Sequence, residues 1–130
     1  MNPVSGAATV RALTRFPVKG LSPEPLESVA LSPGQGFPAD RILGFLRHGQ
    51  AFDEAHPEPR PKTCFHVLVR DAALARLSTR YEEASDTLTI DGRDFALSTE
   101  DGRHGAEAAI AAALGIEEMP RLVRGGTHRF

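Results

Sequence analysis

The sequence has few of the features that would direct a protein to export, to a membrane or to nucleic acid. Its one cysteine, Cys64, excludes a disulfide within the chain. No apolar run approaches the roughly 20 residues that a membrane-spanning helix needs, and the first residues lack the basic and apolar regions of a signal peptide. With 15 basic against 17 acidic residues, the net charge of −2 provides no electrostatic surface for nucleic acid. These absences predict a cytoplasmic protein with neither a membrane nor a nucleic-acid partner.

Motifs that carry chemistry by themselves are also missing. The five histidines include no H-x-x-x-H pair, and the sequence has no C-x-x-C, no P-loop and no dinucleotide-binding glycine pattern. None of the serines lies in the G-x-S-x-G setting of a nucleophile elbow. We therefore predict no catalytic residue and no metal ligand, and we expect that the isolated chain is not an enzyme.

The length and composition are those of one globular domain. The chain has 130 residues, of which 41% are hydrophobic and 25% charged, close to the averages of folded proteins. Residues 1–7 are predicted to form a flexible leader and residues 8–124 the folded domain. Residues 125–130 are predicted to be a tail. The basic side chains in and just before it, Arg121, Arg124, His128 and Arg129, suggest an anion site, although a frayed end or a linker is favoured there.

Short segments with the patterns of β-strands run through the domain. Apolar residues either alternate with polar ones or form brief runs bounded by proline and glycine, which is typical of short buried strands. The clearest pattern is a hairpin in which the Asp-Gly turn at 91–92 joins two strands. The predicted strands are residues 10–16, 27–31, 42–46, 65–69, 87–90, 93–97 and 119–123.

Two segments have helical spacing. Alanine, isoleucine and leucine residues recur on one face of residues 106–114, and Gly115 is placed to end that helix. Asp71 is a suitable N-cap for a shorter helix, with Leu74 and Tyr81 on its apolar face. Many short strands with one or two short helices predict an α+β fold that is mainly β.

Cys64 allows two interpretations. Lys62, two residues earlier, would favour the thiolate form and make Cys64 a reactive thiol. A single cysteine next to Phe65 is more often a small buried hydrophobic residue, and this interpretation is favoured.

Lys19 and Arg41 are the best candidates for binding an anion. Each lies where a predicted strand meets a loop that contains proline and glycine, and lysine and arginine on stiff loops are common ligands of phosphate. The alternative is a solvated lysine and an arginine paired with a carboxylate such as Asp40 or Glu24. From spacing alone this alternative is favoured, because most surface charges have no specific partner.

Several stretches of the sequence resemble a known protein family. Residues 13–24 read LTRFPVKGLSPE, residues 36–41 read GFPADR and residues 61–70 read PKTCFHVLVR. In this order they resemble the aromatic-Pro-Val-Lys turn, the Asp-Arg motif and the Lys-Thr block of the MOSC family, named after the carboxyl-terminal domain of molybdenum cofactor sulfurase. Residues 124–130, RGGTHRF, are similar to the segment that leads into the larger MOSC domain, which this sequence lacks. The resemblance implies that the chain is the family's amino-terminal module, a small β-barrel-like domain.

The same resemblance implies a ligand and the residues that hold it. In the family this module packs on the MOSC domain, and the two together hold the molybdenum cofactor, molybdopterin. The family's lysine and arginine contact mainly the phosphate end, and by position they are Lys19 and Arg41, with Gly20 beside the lysine. Gly20 stands where many family reductases have serine, so one hydroxyl contact is missing. The cysteine that ligates molybdenum belongs to the MOSC domain, so Cys64 is not its counterpart.

The expected function is therefore that of a non-catalytic module. It would contribute basic residues to a cofactor phosphate site that a MOSC domain completes, in cis or in trans. The alternative is a structural or protein-interaction module that docks on a separate MOSC-type partner without binding cofactor. A third interpretation, an independent molybdenum-dependent reductase or sulfurtransferase, would depend on Cys64 for sulfur chemistry.

Overall fold

Short strands and one long helix make up the folded part of the chain, which confirms the α+β, mainly β class. The computed structural model describes residues 6–126 and 128–130. Two 3-10 segments span Lys62–Cys64 and Ala72–Arg76. The other elements are β1 (Leu13–Arg15), β2 (Glu24–Leu26), β3 (Leu43–Leu46), β4 (Thr79–Glu82), β5 (Thr87–Ile90), β6 (Arg93–Ala96), α1 (Glu100–Leu114) and β7 (Arg121–Arg124). None of the described helices is long and apolar enough to cross a membrane.

The strands form three small antiparallel sheets instead of one continuous barrel. They pair as β1 with β2, β3 with β7, and β4 with β5 and β6. In the described part of the chain no barrel closes, because no strand pairing joins these three sheets into a ring. Single β-bridges extend the contacts of β3, from Leu43 to Val18 and from Leu46 to Phe65. The strand β3 thus holds two loops that come from distant parts of the sequence.

The hairpin and the long helix are confirmed. Asp91 and Gly92 have φ angles of 48° and 80°, and positive values at both central residues are those of the type I′ turn that favours Asp-Gly. The helix α1 ends before Gly115 as predicted, but it begins earlier than predicted, at Glu100.

Two glycines explain why the sequence pattern does not predict the first turns of α1. Gly102 and Gly105 lower the helix propensity of the first turns, so the sequence pattern there is weak. The Oγ1 atom of Thr99 caps the helix by accepting a hydrogen bond of 3.0 Å from the amide of Gly102. A Cβ at Gly102 would lie 2.6 Å from the carbonyl carbon of Ala96, and one at Gly105 would lie 2.9 Å from the ring of Phe95. The glycines therefore allow α1 to pack directly on β6.

Two of the predicted strands are wrong. Residues 27–31 are irregular and mostly exposed, and the strand in this region lies earlier, at β2. Of residues 65–69, only Phe65 makes a β-bridge, and the chain then turns. Asp71 closes that turn, because its Oδ2 atom accepts a hydrogen bond of 3.2 Å from the amide of Val67.

The short helix predicted after Asp71 is only partly present. A 3-10 segment forms at Ala72–Arg76, but the Asp71 side chain does not cap it. Tyr81 lies on β4 and not on a helix, since the buried side chains of Thr79 and Tyr81 alternate with exposed neighbours. Alternating burial on the sheet therefore overrides the helical spacing.

The described part of the tail is packed against the domain and is not frayed. The amide of Gly125 donates a hydrogen bond of 3.0 Å to the carbonyl of Ile42, and the amide of Phe130 donates one of 3.0 Å to the carbonyl of Arg41. The ring of Phe130 lies 5.4 Å from the ring of Phe65, centroid to centroid. Of the predicted leader, residues 1–5 lie outside the described residues.

A buried ion pair connects two of the sheets. Nε and Nη2 of Arg15 each donate a hydrogen bond of 3.2 Å to the Glu24 carboxylate, and Nη2 also donates to the carbonyl of Tyr81. The same carboxylate accepts a hydrogen bond of 3.0 Å from the amide of Tyr81. Arg15 and Glu24 are only 8% and 6% exposed. This network holds β1 and β2 against β4.

His66 is a buried ionisable group next to β3. Its Nδ1 atom lies 3.5 Å from Oδ2 of Asp71 but makes no hydrogen bond there. The Asp71 carboxylate instead accepts a hydrogen bond of 2.6 Å from Arg47. Burial and the nearby charge of Arg47 lower the pKa of His66 below its ordinary value, and the Asp71 carboxylate offsets this only partly.

This lowered pKa predicts an acid-sensitive fold. Because the unfolded chain takes up the His66 proton first, the free energy of unfolding is expected to fall as the pH drops below about 6.5. The slope from this group is at most about 1.4 kcal/mol per pH unit. Chemical denaturation at several pH values between 7 and 5 measures it. A His66→Gln variant should show a flatter profile, and an identical profile in both proteins would contradict the prediction.

Candidate functional site

The three residues predicted to hold a ligand line one surface cleft. Lys19, Gly20 and Arg41 border a cavity of about 320 Å³, together with Lys62. We call it the cationic cleft, after Lys19, Arg41 and Lys62. The rest of its lining is apolar and consists of Phe16, Leu21, Val67, Leu68, Val69 and Phe130.

Backbone contacts to β3 place Lys19 in the cleft. Its amide donates a hydrogen bond of 2.8 Å to the carbonyl of Leu43, and the preceding Val18 is fully buried. The Nζ atom lies 5.5 Å from the centroid of the Phe65 ring, within the range of a cation–π contact. Lys19 therefore reaches the cleft from a rigid base.

Arg41 enters the cleft from the opposite loop. Its amide donates a hydrogen bond to the carbonyl of Phe16, and its guanidinium stands 5.3 Å from the centroid of that ring. Its Nη1 atom donates a hydrogen bond of 2.6 Å to Asp40, so the predicted pairing with a neighbouring carboxylate is confirmed for Asp40. The other candidate, Glu24, is bound to Arg15. One donor nitrogen of the Arg41 guanidinium is thus already used.

Gly20 positions the backbone of the cleft. Its φ angle is +72°, a conformation that residues with a Cβ rarely adopt. A Cβ on Gly20 would overlap Val67, lying only 2.9 Å from its Cα atom. The carbonyl of Gly20 accepts a hydrogen bond of 2.9 Å from the amide of Leu68. Serine at this position would meet the same overlap, so glycine allows the two loops to touch.

Like charges meet in the cleft, and none of its described lining residues carries a carboxylate. Burial, followed by the charges of Arg41 and Lys62, lowers the pKa of Lys19 below its ordinary value. A concave site with an excess of one charge attracts ligands of the opposite charge. The cleft is therefore suited to an anion that carries an apolar or planar body.

Lys62 is the cleft residue that the sequence analysis missed. Local spacing relates it only to Cys64, two residues away. Its place beside Lys19 depends on the bridge between Phe65 and Leu46, a contact over a long sequence distance. The Lys-Thr pair in the third stretch was the only sequence signal for it.

Neither Cys64 nor, apart from Phe130, any described residue of the tail lines the cleft. Cys64 is 7% exposed, which confirms the favoured interpretation of a buried residue, and Nη2 of Arg60 lies 3.7 Å from its Sγ atom. Arg124 does not line the cleft, and its Nη2 atom donates a hydrogen bond of 2.6 Å to Asp86 instead. Among the described residues, no group of three His, Cys, Asp or Glu side chains is placed to hold a metal ion.

No protein-family model, no curated protein and no solved structure matches this chain.

Proposed function

We propose that this chain is a non-catalytic module that binds the phosphate end of the molybdenum cofactor through Lys19 and Arg41. The observation that carries the proposal is their convergence, from loops about 20 residues apart in sequence, in one cleft whose described lining has no carboxylate. The resemblance of the surrounding motifs to the MOSC family supplies the identity of the ligand. The proposed setting is the cytoplasm, since a single buried cysteine needs no oxidising compartment.

The residues of the cleft fit one end of this cofactor. Lysine offers a compact charge and arginine a planar fork of donors, and both suit a terminal phosphate. The apolar side of the cleft can shield part of the attached body from water. Cys64 does not line the cleft, so we assign the chain no ligand to the metal. In this proposal a MOSC domain, in cis or in trans, holds the rest of the cofactor and supplies its chemistry.

A titration with molybdopterin tests the proposal. The chain is expected to bind it saturably under anaerobic conditions, as followed by isothermal titration calorimetry. Charged hydrogen bonds contribute about 1.5–3 kcal/mol each, so a Lys19→Ala/Arg41→Ala variant should bind at least about 100-fold more weakly. A double variant at Arg76 and Arg93, two exposed arginines that do not line the cleft, is the matched control and should bind like the wild type.

The same titration separates this function from the docking alternative. Leu68 and Val69 are 40% and 72% exposed on the rim of the cleft, and exposed apolar side chains of this kind favour a protein contact. If wild type and the Lys19/Arg41 variant bind molybdopterin equally, or neither binds it, cofactor holding is refuted. A MOSC domain that binds both proteins would then assign the chain to docking.

A further inference from the structure

Lysine is rare in this chain and is confined to one place. Of the 15 basic residues other than histidine, only Lys19 and Lys62 are lysines, and both line the cationic cleft. Lysine carries a compact point charge with three donors, whereas arginine carries a planar, delocalised one. Elsewhere the chain uses arginine in its ion pairs with carboxylates. Two compact charges are thus concentrated where a small anion would fit.

The charges of the cleft do not cancel. Arg41 is bound to Asp40 at 2.6 Å, which offsets about one positive charge. In the described part of the chain, neither lysine has a carboxylate oxygen within 4.0 Å of its Nζ atom. About two positive charges therefore remain without a partner. Bringing them together costs folding free energy, and a ligand with two negative charges would offset that cost.

The fold holds Lys62 on a firm base at the edge of the cleft. Lys62 opens a 3-10 segment in which the amide of Phe65 donates a hydrogen bond of 3.1 Å to the carbonyl of Lys62. Phe65 is 1% exposed and Cys64 is 7% exposed, so the core fixes the residues that follow Lys62. Its side chain is exposed, and its charge is near enough to lower the pKa of Lys19. Lys62 is thus placed to contact a ligand that Lys19 holds.

We propose that Lys62 is a third ligand-binding cation and that it makes the cationic cleft selective for a doubly charged phosphate monoester over a singly charged anion. This inference rests on the proposed function, because it concerns the same cleft. Lys19 and the partly neutralised Arg41 are enough to hold one negative charge. Lys62 adds a second positive charge. A phosphodiester or a carboxylate has only one negative charge and would leave this second positive charge without a partner.

Two small esters test the selectivity. Phenyl phosphate is a dianion at pH 8, since the second pKa of a phosphate monoester is about 6, whereas methyl phenyl phosphate is a monoanion of similar shape. In NMR titrations the wild type should prefer the monoester by about tenfold. A Lys62→Gln variant, which keeps a polar side chain, should lose about tenfold in affinity for the monoester and little for the diester. Arg76→Gln also removes one positive charge, but outside the cleft, and it should change the affinity for neither ester.

Acetylation of the lysines provides a second readout, since Lys19 and Lys62 are the only side-chain amines. Mass spectrometry should show that phenyl phosphate protects both from a succinimidyl ester. Equal affinity for the two esters, or an unprotected Lys62, would overturn this inference while leaving a cofactor site at Lys19 and Arg41 intact. Failure of the wild type to bind either ester would overturn the phosphate cleft itself and the selectivity with it.

Discussion

Replacing Arg15 by alanine is expected to lower the free energy of unfolding by about 3–5 kcal/mol. The change removes the cation but leaves the Glu24 carboxylate buried at 6% exposure, with the amide of Tyr81 as its remaining hydrogen-bond donor among the described residues. A buried charge without its partner is among the most destabilising defects in a protein. Since small domains are stable by only about 5–15 kcal/mol, much of the total would be lost. Chemical denaturation measures the difference.

Two further variants separate the ion pair from general surface effects. Arg80 is exposed on β4, next to this network, and Arg80→Ala should change the stability by no more than about 0.5 kcal/mol. Replacing Arg15 and Glu24 together by apolar residues should recover part of the loss, because no charge is then left buried. A loss below about 1 kcal/mol for Arg15→Ala would mean that the pair does not hold the sheets together.

Replacing Gly20 by alanine is expected to destabilise the domain by about 3 kcal/mol. Two costs add up at this position. The φ angle of +72° is unfavourable for a residue with a Cβ, and the new methyl group would overlap Val67, including its backbone. Relief requires the loop that carries Lys19 to move away from residues 67–68. Binding of phosphate should therefore weaken together with stability.

Gly49 offers a matched control for the cost of the positive φ angle alone. Its φ angle is +83°, but among the described residues no atom beyond its own chain neighbours lies within 4 Å of a Cβ built there. Gly49→Ala should thus show the conformational cost alone, about 1 kcal/mol, and leave ligand binding unchanged. Equal losses at Gly20 and Gly49 would show that contact with Val67 contributes nothing.

The cleft and the core are linked through β3. Leu43 accepts the hydrogen bond that positions Lys19, and the chain just before β3 carries Arg41. All four residues of β3 are buried, so the strand is fixed by apolar packing on both faces. Burial of β3 thereby supplies the free energy that holds the charged side chains of Lys19 and Arg41 in one cleft. A ligand gains from this, since the cations are already in place when it arrives.

The sequence by itself determined the elements whose signals are local. The Asp91-Gly92 turn follows from the two residues at its centre, and the body of α1 follows from apolar spacing and the terminal Gly115. Motif resemblance likewise singled out Lys19 and Arg41, which both line the cleft. The identity of their ligand stays a prediction.

The tertiary structure alone decided the features that depend on distant residues. Arg15 on β1 and Glu24 on β2 pair across the two strands, because a buried charge must find its partner. This pairing places the second strand at Glu24–Leu26, earlier in the sequence than predicted. The division into three sheets likewise depends on pairing between strands that are distant in sequence, such as β3 with β7. Lys62 joined the cleft because Phe65 packs beside β3, a contact that no spacing in the sequence encodes. Periodicity and turn residues report local free energies, whereas burial and charge pairing are settled only when the whole chain has folded.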